Sequence, residues 1–357
     1  MEEYVFNNFI YKRNENSKII VEHNVQKPES IFKFYALNEY SVDAFTNSYF
    51  YASHPYDLND FLDSSPFLFW TSKPLDFHYY ESFLGFLYAE NQEELKKFYE
   101  EDISRESLCK GYMSLFWEVL SNKFGVVSMT AKENNPLMWP HYTQEKGFQI
   151  KFKTEEIEQN IEQNIGNENG NNEYLGFIPT NYTKDLVPID ISNFPNMKIP
   201  LYYITNIKSI NWNYECEWRF LLSKENMGVP YSKTGLSGRE DYFVKKENRF
   251  AYYDKNLVQE ITLGMNFFNT TEYEITMLDE KNIQVKLKAN WNFESQKKLL
   301  NFIFENLKDK LYYSGVKYEI NETDDYYLIR TKEKLEIERK DEITFVLTRT
   351  NILIKML

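Results

Sequence analysis

Strand-like and helix-like patterns are interspersed along this 357-residue chain, and their mixture constrains the fold more than any other feature. Short segments at 31–35, 124–129 and 147–152 have the length and composition of strands. Longer segments at 92–102 and 105–122 have helical patterning, and the second repeats apolar residues at three- and four-residue steps. We therefore predict an α+β fold in which a mixed or antiparallel sheet forms the core with helices.

Composition supports a folded protein with a large core. The chain contains 28 tyrosines, 28 phenylalanines and 6 tryptophans, and 42% of its residues are hydrophobic, which excludes global disorder. The net charge of −13 argues against a dedicated nucleic-acid scaffold, which would normally present a basic face. This charge does not exclude an enzyme that contacts RNA or DNA through a local patch.

Targeting signals and cysteines indicate a cytoplasmic protein. The sequence starts Met-Glu-Glu and lacks the basic end and apolar stretch of a signal peptide. No apolar run approaches the roughly 20 residues that span a bilayer, so we expect no membrane contact. Two cysteines, Cys109 and Cys216, cannot form a disulfide framework.

Short helices and loops are predicted in two regions, 41–55 and 154–172. Residues 41–47 predict a short helix with Ser41 as its N-cap, and 49–52 predict a strand that runs into a Ser-His-Pro loop. Residues 154–172 are low in complexity and have little to bury, so they predict a surface helix followed by a loop. That loop is interpreted either as a tolerated insertion or as a lid.

The C-terminal part is predicted to be a separate small module. Residues 283–289 alternate as a strand, 293–311 have a helical stripe, and two hairpins turn at Asp324-Asp325 and Lys340-Asp341. We therefore divide the chain into a domain at 1–280 and a small α+β domain at 281–357, a size that can fold alone. This module is expected to bind a protein partner or to form an oligomer.

Two short segments combine large aromatic side chains with groups that ionise or form hydrogen bonds. The first reads Met-Trp-Pro-His-Tyr at 138–142, and the second reads Lys-Ser-Ile-Asn-Trp-Asn-Tyr-Glu-Cys-Glu-Trp-Arg at 208–219. Burying such polar groups is costly unless they are paired. Because pockets combine apolar walls with a few convergent polar groups, we expect Trp139, His141 and Glu217 to line one pocket.

The carboxylates of Glu215 and Glu217 are the main candidates for a chemical role. A strand over 215–222 points both side chains, and that of Arg219, to the same face. Neighbouring carboxylates repel, which raises one pKa unless a cation intervenes, and Lys208 and Arg219 are such cations. An ordinary solvated strand face has the same alternation, so this interpretation stays open.

His141 and the polar loop at 53–60 each have two possible interpretations. His141 is a candidate general base because imidazole titrates near neutral pH, and a half-buried histidine that fixes a turn is an equal alternative. The polar group around Ser53, His54, Asn59 and Asp60 fits a functional loop or simple turn chemistry equally well. The histidines have no metal-ligand spacing, so no metal is expected.

Five blocks of sequence resemble the bacterial domain of unknown function 2971 family. They are the strand at 31–35, the Ser-His-Pro and Leu-Asn-Asp loop at 53–60, the two aromatic segments, and Val-Gln-Glu-Ile-Thr-Leu-Gly at 258–264. The resemblance runs from about Ile31 to about Met277 and keeps the order of the blocks. Phe61, Leu62 and Asp63 stand where the family usually has Pro, Phe and Glu.

The order of features also resembles the ADP-ribosyltransferase superfamily, which implies NAD as a co-substrate. In that chemistry a carboxylate stabilises an oxocarbenium-like ribose, which is an electrostatic role. The resemblance implies Glu217 in this role, Glu215 as the group that activates the acceptor, and Lys33 or Tyr35 with Ser53 at the dinucleotide. The expected catalytic set is Glu217, Glu215 and His141, and the expected cofactor-binding set is Lys33, Tyr35, Ser53, Trp139, Tyr142 and Arg219.

Two other functions remain open. One is a non-enzymatic sensor or partner-binding component of an anti-phage or toxin–antitoxin system, in which the acidic chain would suit a basic partner. The other is a hydrolase or nuclease that uses Glu215, Glu217 and His141. The transferase interpretation would need a macromolecular acceptor, either protein or nucleic acid. The chain contains no Gly-x-Ser-x-Gly, no phosphate-binding loop and no Gly-x-Gly-x-x-Gly motif.

Overall fold

The computed structural model describes residues 3–15, 18–55, 58–85, 89–104, 107–121, 123–168, 172–225, 227–228, 246–320 and 326–349. The described chain has the predicted α+β fold. The predicted turn at Asp324-Asp325 and the middle of the predicted loop after 168 lie outside the described residues. Within these ranges, no helix is both long enough and apolar enough to cross a membrane.

The helices and strands are numbered in chain order. The helices are α1 Glu39–Thr46, α2 Phe77–Leu84, α3 Gln92–Asp102, α4 Lys110–Ser121, α5 Thr154–Asn167, α6 Lys198–Ile204 and α7 Phe293–Asn306. The strands are β1 Glu3–Phe6, β2 Phe9–Arg13, β3 Ile19–Glu22, β4 Ser30–Tyr35, β5 Tyr49–Tyr51, β6 Phe69–Trp70, β7 Phe124–Thr130, β8 Phe148–Lys153, β9 Glu173–Pro179, β10 Asn181–Thr183, β11 Ile189–Asp190, β12 Ile207–Ser209, β13 Glu217–Ser223, β14 Phe250–Tyr252, β15 Glu260–Leu263, β16 Tyr273–Met277, β17 Asn282–Leu287, β18 Leu311–Ile320, β19 Tyr326–Arg339 and β20 Thr344–Arg349.

One large mixed sheet organises the described residues. Its strand order is β16-β17-β20-β19-β18-β15-β8-β4-β7-β13-β9. Neighbouring strands are antiparallel except β15 and β18, which pair in parallel. The prediction of a mixed sheet with helices packed on it is therefore confirmed.

Two large apolar cores cover the sheet, and a third, small cluster contains Phe34, Met138 and Trp139. Alternation along β13 assigns residues to the two large cores. Trp218 and Phe220 belong to the core that also contains α5 and α7 residues, whereas Leu221 belongs to the core formed with α2, α3, α4 and α6. Because successive strand residues point to opposite faces, Glu217 and Arg219 share the face of Leu221. These two charged side chains of β13 therefore lie on the face covered by the second core.

The C-terminal strands extend the same sheet. β15 pairs with β18, and α7 packs on α1, where Lys298 of α7 binds Asp43 at 2.9 Å and Phe302 packs edge-on against Phe45. One continuous core includes residues from both sides of position 280. The second predicted hairpin, which turns at Lys340-Asp341, is present as β19–β20. The predicted division at 280 stays a prediction, and the sheet joins its two sides.

Several local predictions need correction. The N-cap of α1 is Asn38, whose side chain accepts a hydrogen bond from the Ser41 backbone, so Ser41 lies inside the helix. The helix predicted at 293–311 ends at Asn306, and β18 starts at Leu311. The strand at 49–52 exists as β5 but pairs with β14 outside the large sheet.

The helix of the low-complexity segment also differs from its prediction. α5 lies where a surface helix was expected, but Ile157, Ile161 and Ile165 are fully buried in the first core. Their four-residue spacing places them on one face of the helix. The segment therefore has an apolar stripe to bury, which its many polar residues obscured in the sequence.

Candidate functional site

A polar cleft lies beside β4, β7 and β13, with a cavity volume of about 210 Å³. Its lining residues come from several separate segments between residues 32 and 217. They are Phe32, Lys33, Phe34, Ser53, Leu58, Asn59, Asp63, Ser128, Met129, Thr130, Met138, Tyr142, Lys208, Glu215 and Glu217. Five of the predicted site residues therefore share one cleft: they are Lys33, Ser53, Tyr142, Glu215 and Glu217.

Arg219 anchors two carboxylates behind the cleft. Its Nε and Nη2 donate to the two Glu217 oxygens at 2.9 Å each, and its Nη1 and Nη2 donate to Asp63 at 2.8 and 2.5 Å. Nη1 also donates a hydrogen bond to the Thr205 carbonyl at 2.8 Å. Arg219 is fully buried, and such paired geometry is what makes a buried charge tolerable. Arg219 is therefore a support of the cleft wall and is not one of its lining residues.

Lys208 joins the two glutamates from the other side. Its Nζ lies 2.6 Å from Glu215 Oε2, 3.0 Å from Glu217 Oε2 and 3.4 Å from Asp63 Oδ2. The ring of Trp212 covers this ammonium group, with 5.1 Å from Nζ to the ring centroid. The predicted arrangement of a cation between two carboxylates is thus present.

The two glutamates converge for a different reason from the one predicted. Glu215 ends a 3₁₀ helix that begins at Ile210, and β13 starts only at Glu217. Cys216 between them has a left-handed backbone with φ of 46°. The prediction of a strand over 215–222 is therefore wrong at its first two residues. A kink at Cys216, instead of strand alternation, turns both carboxylates toward Lys208.

Neighbouring groups hold this kink. Thr130 Oγ1 donates to the Glu215 carbonyl at 2.6 Å, and Asn135 Nδ2 donates to the Tyr214 carbonyl. The amide of Ala131 donates to the Cys216 carbonyl at 2.9 Å, while the Glu217 amide donates to the Tyr182 hydroxyl at 2.9 Å. Left-handed conformations of non-glycine residues persist where surrounding contacts determine them.

Tyr142 carries the first aromatic segment into the cleft. It lies in a single π-helical turn, Trp139–Thr143, a type of turn that is frequent at functional sites. Its hydroxyl donates to Glu215 Oε1 and accepts a hydrogen bond from Asn59 Nδ2 at 2.8 Å. Burial, followed by the Glu215 charge, raises the pKa of Tyr142. The hydroxyl therefore stays protonated as a donor to Glu215.

Lys33 and Ser53 also line the cleft. Lys33 is half-buried, and its Nζ donates to the Ser128 carbonyl at 2.8 Å. Burial lowers the pKa of Lys33 to about 8, an effect that the Glu217 charge opposes. Ser53 pairs with Val126 of β7 through two backbone hydrogen bonds, which positions it at the cleft although β5 lies outside the large sheet.

Besides Arg219, three predicted site residues do not line the cleft. Trp139 is fully buried behind it, edge-on to Phe34, and Tyr35 lies in the first core stacked on Phe148. His141 is exposed, and its Nδ1 lies 2.9 Å from the Tyr214 hydroxyl. The expectation that Trp139 and His141 line the pocket of Glu217 is therefore wrong. The segment reaches the cleft through Met138 and Tyr142 instead.

The two glutamates have opposite electrostatic environments. Arg219 and Lys208 lower the pKa of Glu217 far below its usual range, overcoming the effect of burial. Burial, together with the Glu217 charge, raises the pKa of Glu215 despite its contact with Lys208. The pair thus combines a carboxylate that stays ionised with one that holds a proton more readily.

Asp63 is the main residue that sequence reasoning missed. It is buried, and it binds Arg219 through both oxygens. The sequence did point to Asp63, because this aspartate stands where the resembled family usually has Glu, and both residues carry a carboxylate. The role of Tyr182 could not be predicted from the sequence, because only the fold brings its hydroxyl to the Glu217 amide.

Metal-ligating groups do not gather in the described part of the chain, where no set of three or more His, Cys, Asp or Glu is arranged to hold an ion. Asp63, Glu215 and Glu217 do meet, but Lys208 and Arg219 bind their oxygens. The cations of the cluster are therefore protein side chains.

The comparison with protein families supports the resemblance. Residues 138–220 match the model of the family described as "Protein of unknown function (DUF2971)". This segment contains Met138 and Tyr142 of the first aromatic motif and all of the second motif through Arg219. The prediction of this family is confirmed over that segment. Neither curated proteins nor solved structures give a match to the chain.

Proposed function

We propose that this chain, with its DUF2971 segment, cleaves NAD at the polar cleft and transfers ADP-ribose to a macromolecule. The observation that carries the proposal is the convergence of Lys33, Ser53 and the Glu215–Glu217 pair, three places that are far apart in the sequence, on one cleft. They belong to the residues that the resemblance to ADP-ribosyltransferases implies. Tyr35, Trp139, His141 and Arg219 of the same expected sets do not line the cleft.

The charge of the cluster suits this chemistry. Three carboxylates, Asp63, Glu215 and Glu217, face two cations, Lys208 and Arg219, and a protonated Lys33 in the same cleft balances the one excess negative charge. Loss of nicotinamide leaves a positive oxocarbenium-like ribose. A fixed carboxylate such as that of Glu217, placed where this charge develops, would lower the barrier without reorganisation.

The opposite pKa shifts suggest separate roles for the two glutamates. Glu217, whose pKa is lowered, would remain ionised near the ribose, while Glu215, whose pKa is raised, would accept a proton from the acceptor. In this step the ribose–nicotinamide C–N bond breaks, and nicotinamide leaves with the electron pair. An acceptor hydroxyl or water then bonds to the ribose carbon, and its proton passes to Glu215.

The size of the cleft limits what it holds. Sites for drug-sized ligands are commonly about 300–1,000 Å³. At about 210 Å³, this cleft suits the nicotinamide and its ribose, so the adenosine end would extend outside. Met138, Phe32 and Phe34 supply apolar surface for the nicotinamide ring.

The test is to incubate the purified protein with NAD, alone and with RNA, DNA or cell lysate, and to measure nicotinamide release and label transfer. Glu215→Gln should reduce transfer to an acceptor more than simple NAD hydrolysis. The matched control is Glu260→Gln, because Glu260 is also a carboxylate between two lysines, Lys151 and Lys332, but lies outside the cleft. We expect it to retain full activity.

Absence of both NAD binding and nicotinamide release under all these conditions would overturn the proposal. The partner-binding function would then be favoured over a hydrolase that uses His141, because His141 is bound to Tyr214 and does not line the cleft.

A further inference from the structure

Arg330 connects the C-terminal hairpin to the turn that carries Tyr142. It lies on β19, and its two terminal nitrogens donate to the two Glu145 oxygens at 3.0 and 2.5 Å. Its guanidinium also lies over the ring of Trp139, with 5.7 Å to the centroid. Planar bidentate pairing and ring stacking are geometries that arginine supports and lysine does not.

A second set of contacts runs in parallel. Trp139 Nε1 donates to Asn134 Oδ1 at 2.8 Å, and Asn134 Nδ2 donates to the Thr331 carbonyl at 3.3 Å. Ser314 of β18 donates to the same Asn134 oxygen and accepts from Arg330 Nη1 at 3.0 Å. The strands after residue 280 therefore hold Trp139 on its ring face and through its ring nitrogen.

The turn between these anchors has a strained backbone. Gln144 and Glu145 have φ values of 53° and 60°, a region that residues other than glycine rarely adopt. Such conformations persist only where surrounding contacts determine them, and they concentrate at functional sites. The Glu145 carbonyl, which accepts from the Asn266 amide at 2.8 Å, is fixed as well.

Tyr142 depends on the same turn. It lies between Trp139 and Glu145, and its hydroxyl must reach Glu215 on one side and Asn59 on the other. A small rotation of the turn would separate Tyr142 from Glu215 and leave the carboxylate with Lys208 alone.

We propose that Arg330 is a positioning residue of the cleft, which holds Tyr142 against Glu215 through Trp139 and Glu145. The C-terminal strands, which contribute no residue to the lining of the cleft, would in this way control its geometry. The effect on catalysis rests on the proposed function, whereas the effect on Tyr142 does not.

The experiment places 3-fluorotyrosine at position 142 and follows its ¹⁹F resonance. Arg330→Met should shift this resonance in the same direction as Glu215→Gln, because both change the contact of the phenol with the carboxylate. Arg330→Lys, which keeps the charge but loses the bidentate geometry, should give a smaller shift. If NAD turnover is present, Arg330→Met should lower kcat about 10- to 100-fold, as small misplacements of reacting groups do.

Arg339→Met is the matched control. Arg339 lies on the same strand, binds Glu305 at 2.8 Å and covers the ring of Phe304, but it is remote from Trp139. We expect it to leave the Tyr142 resonance unchanged. An unshifted resonance in folded Arg330→Met and Arg330→Lys would overturn the proposal. If Arg330→Met fails to fold, Arg330→Lys decides it alone. A shifted resonance without any NAD cleavage would support the positioning role and reject only the proposed function.

Discussion

At the scale of single residues, Glu217 has a structural role as well as its proposed chemical one. Glu217→Gln is nearly isosteric and removes repulsion from Glu215, so from the sequence alone we would expect this variant to keep the fold. The structure shows that Glu217 binds both Arg219 and Lys208, so Glu217→Gln removes one charged partner from each buried cation, while Asp63 still binds Arg219 and Glu215 still binds Lys208. Breaking a buried ion pair from one side costs about 3–5 kcal/mol when it leaves a charge unpaired, so we expect a loss at or below the lower end of this range for Glu217→Gln.

Urea denaturation of Glu217→Gln and Glu260→Gln would test this expectation. Glu260 is a partly exposed carboxylate with two lysine partners, and its replacement should have a smaller effect. Equal stabilities of the two variants would contradict a central role for Glu217 in the buried cluster.

Lys33 should give the stability of the protein a distinct pH dependence. Its pKa falls from 10.5, the ordinary value of lysine, to about 8 in the folded protein. Between these values the unfolded chain binds more protons than the folded one, so this residue makes the free energy of unfolding rise with pH. From about pH 8 to about pH 9.5, the difference in stability between wild type and Lys33→Met should therefore grow in favour of wild type. Denaturation curves at both pH values measure it, and a constant difference would count against the lowered pKa.

At the scale of elements, the close approach of β4 and β8 depends on the missing side chain of Gly147. A Cβ at Gly147 would lie 2.0 Å from the Tyr35 carbonyl oxygen and 2.9 Å from Thr143 Cβ. Gly147→Ala should therefore push β8 away from β4 and destabilise the protein by about 1–3 kcal/mol or more, as overpacking does. Thermal denaturation would show this as a lower Tm.

Gly166→Ala is the matched control for this change. Gly166 lies in α5, and a Cβ there meets nothing within 4 Å. Since alanine favours a helix over glycine by about 1 kcal/mol, Gly166→Ala should raise the Tm slightly. A similar loss of stability in both variants would mean that the close approach at Gly147 is not what matters.

At the scale of the whole molecule, the region after residue 280 completes the sheet and the first core. β15 pairs with β18 on one edge and with β8 on the other, so removal of the C-terminal part exposes one edge of β15. It also uncovers core residues around α1 that pack on α7. Exposed edges and apolar faces promote aggregation. We expect a chain of residues 1–280 to be insoluble or to aggregate.

Expression of residues 1–280 beside the full chain, followed by size-exclusion chromatography, tests this prediction. Co-expression of 281–357 as a second polypeptide should restore solubility if pairing of β15 with β18 is the cause. A monomeric, cooperatively folding 1–280 fragment would instead support two independent domains, as the size of the C-terminal part first suggested. Partner binding and oligomerisation through this region remain predictions.

The sequence by itself determined the fold class, most elements and the segments that form the site. Strand and helix periodicity is local, so β4, β7, β8 and α3 could be predicted from their own residues. The pairing of Lys208 with both glutamates was also predictable, because two adjacent carboxylates need a nearby cation. Asp63 could have been found by treating its place in the family pattern as a carboxylate position.

Only the tertiary structure decided which side chains face the cleft. The left-handed turn at Cys216 is held by Thr130, Asn135 and Ala131, which are distant in sequence, so the start of β13 could not be predicted locally. Trp139 and Tyr142 are close neighbours in one turn, yet one lies in the core and the other in the cleft, because packing on Phe34 sets their directions. The contact of Arg330 with Trp139 depends on how the last strands join the sheet. Such long-range contacts depend on the whole fold, and no local pattern contains them.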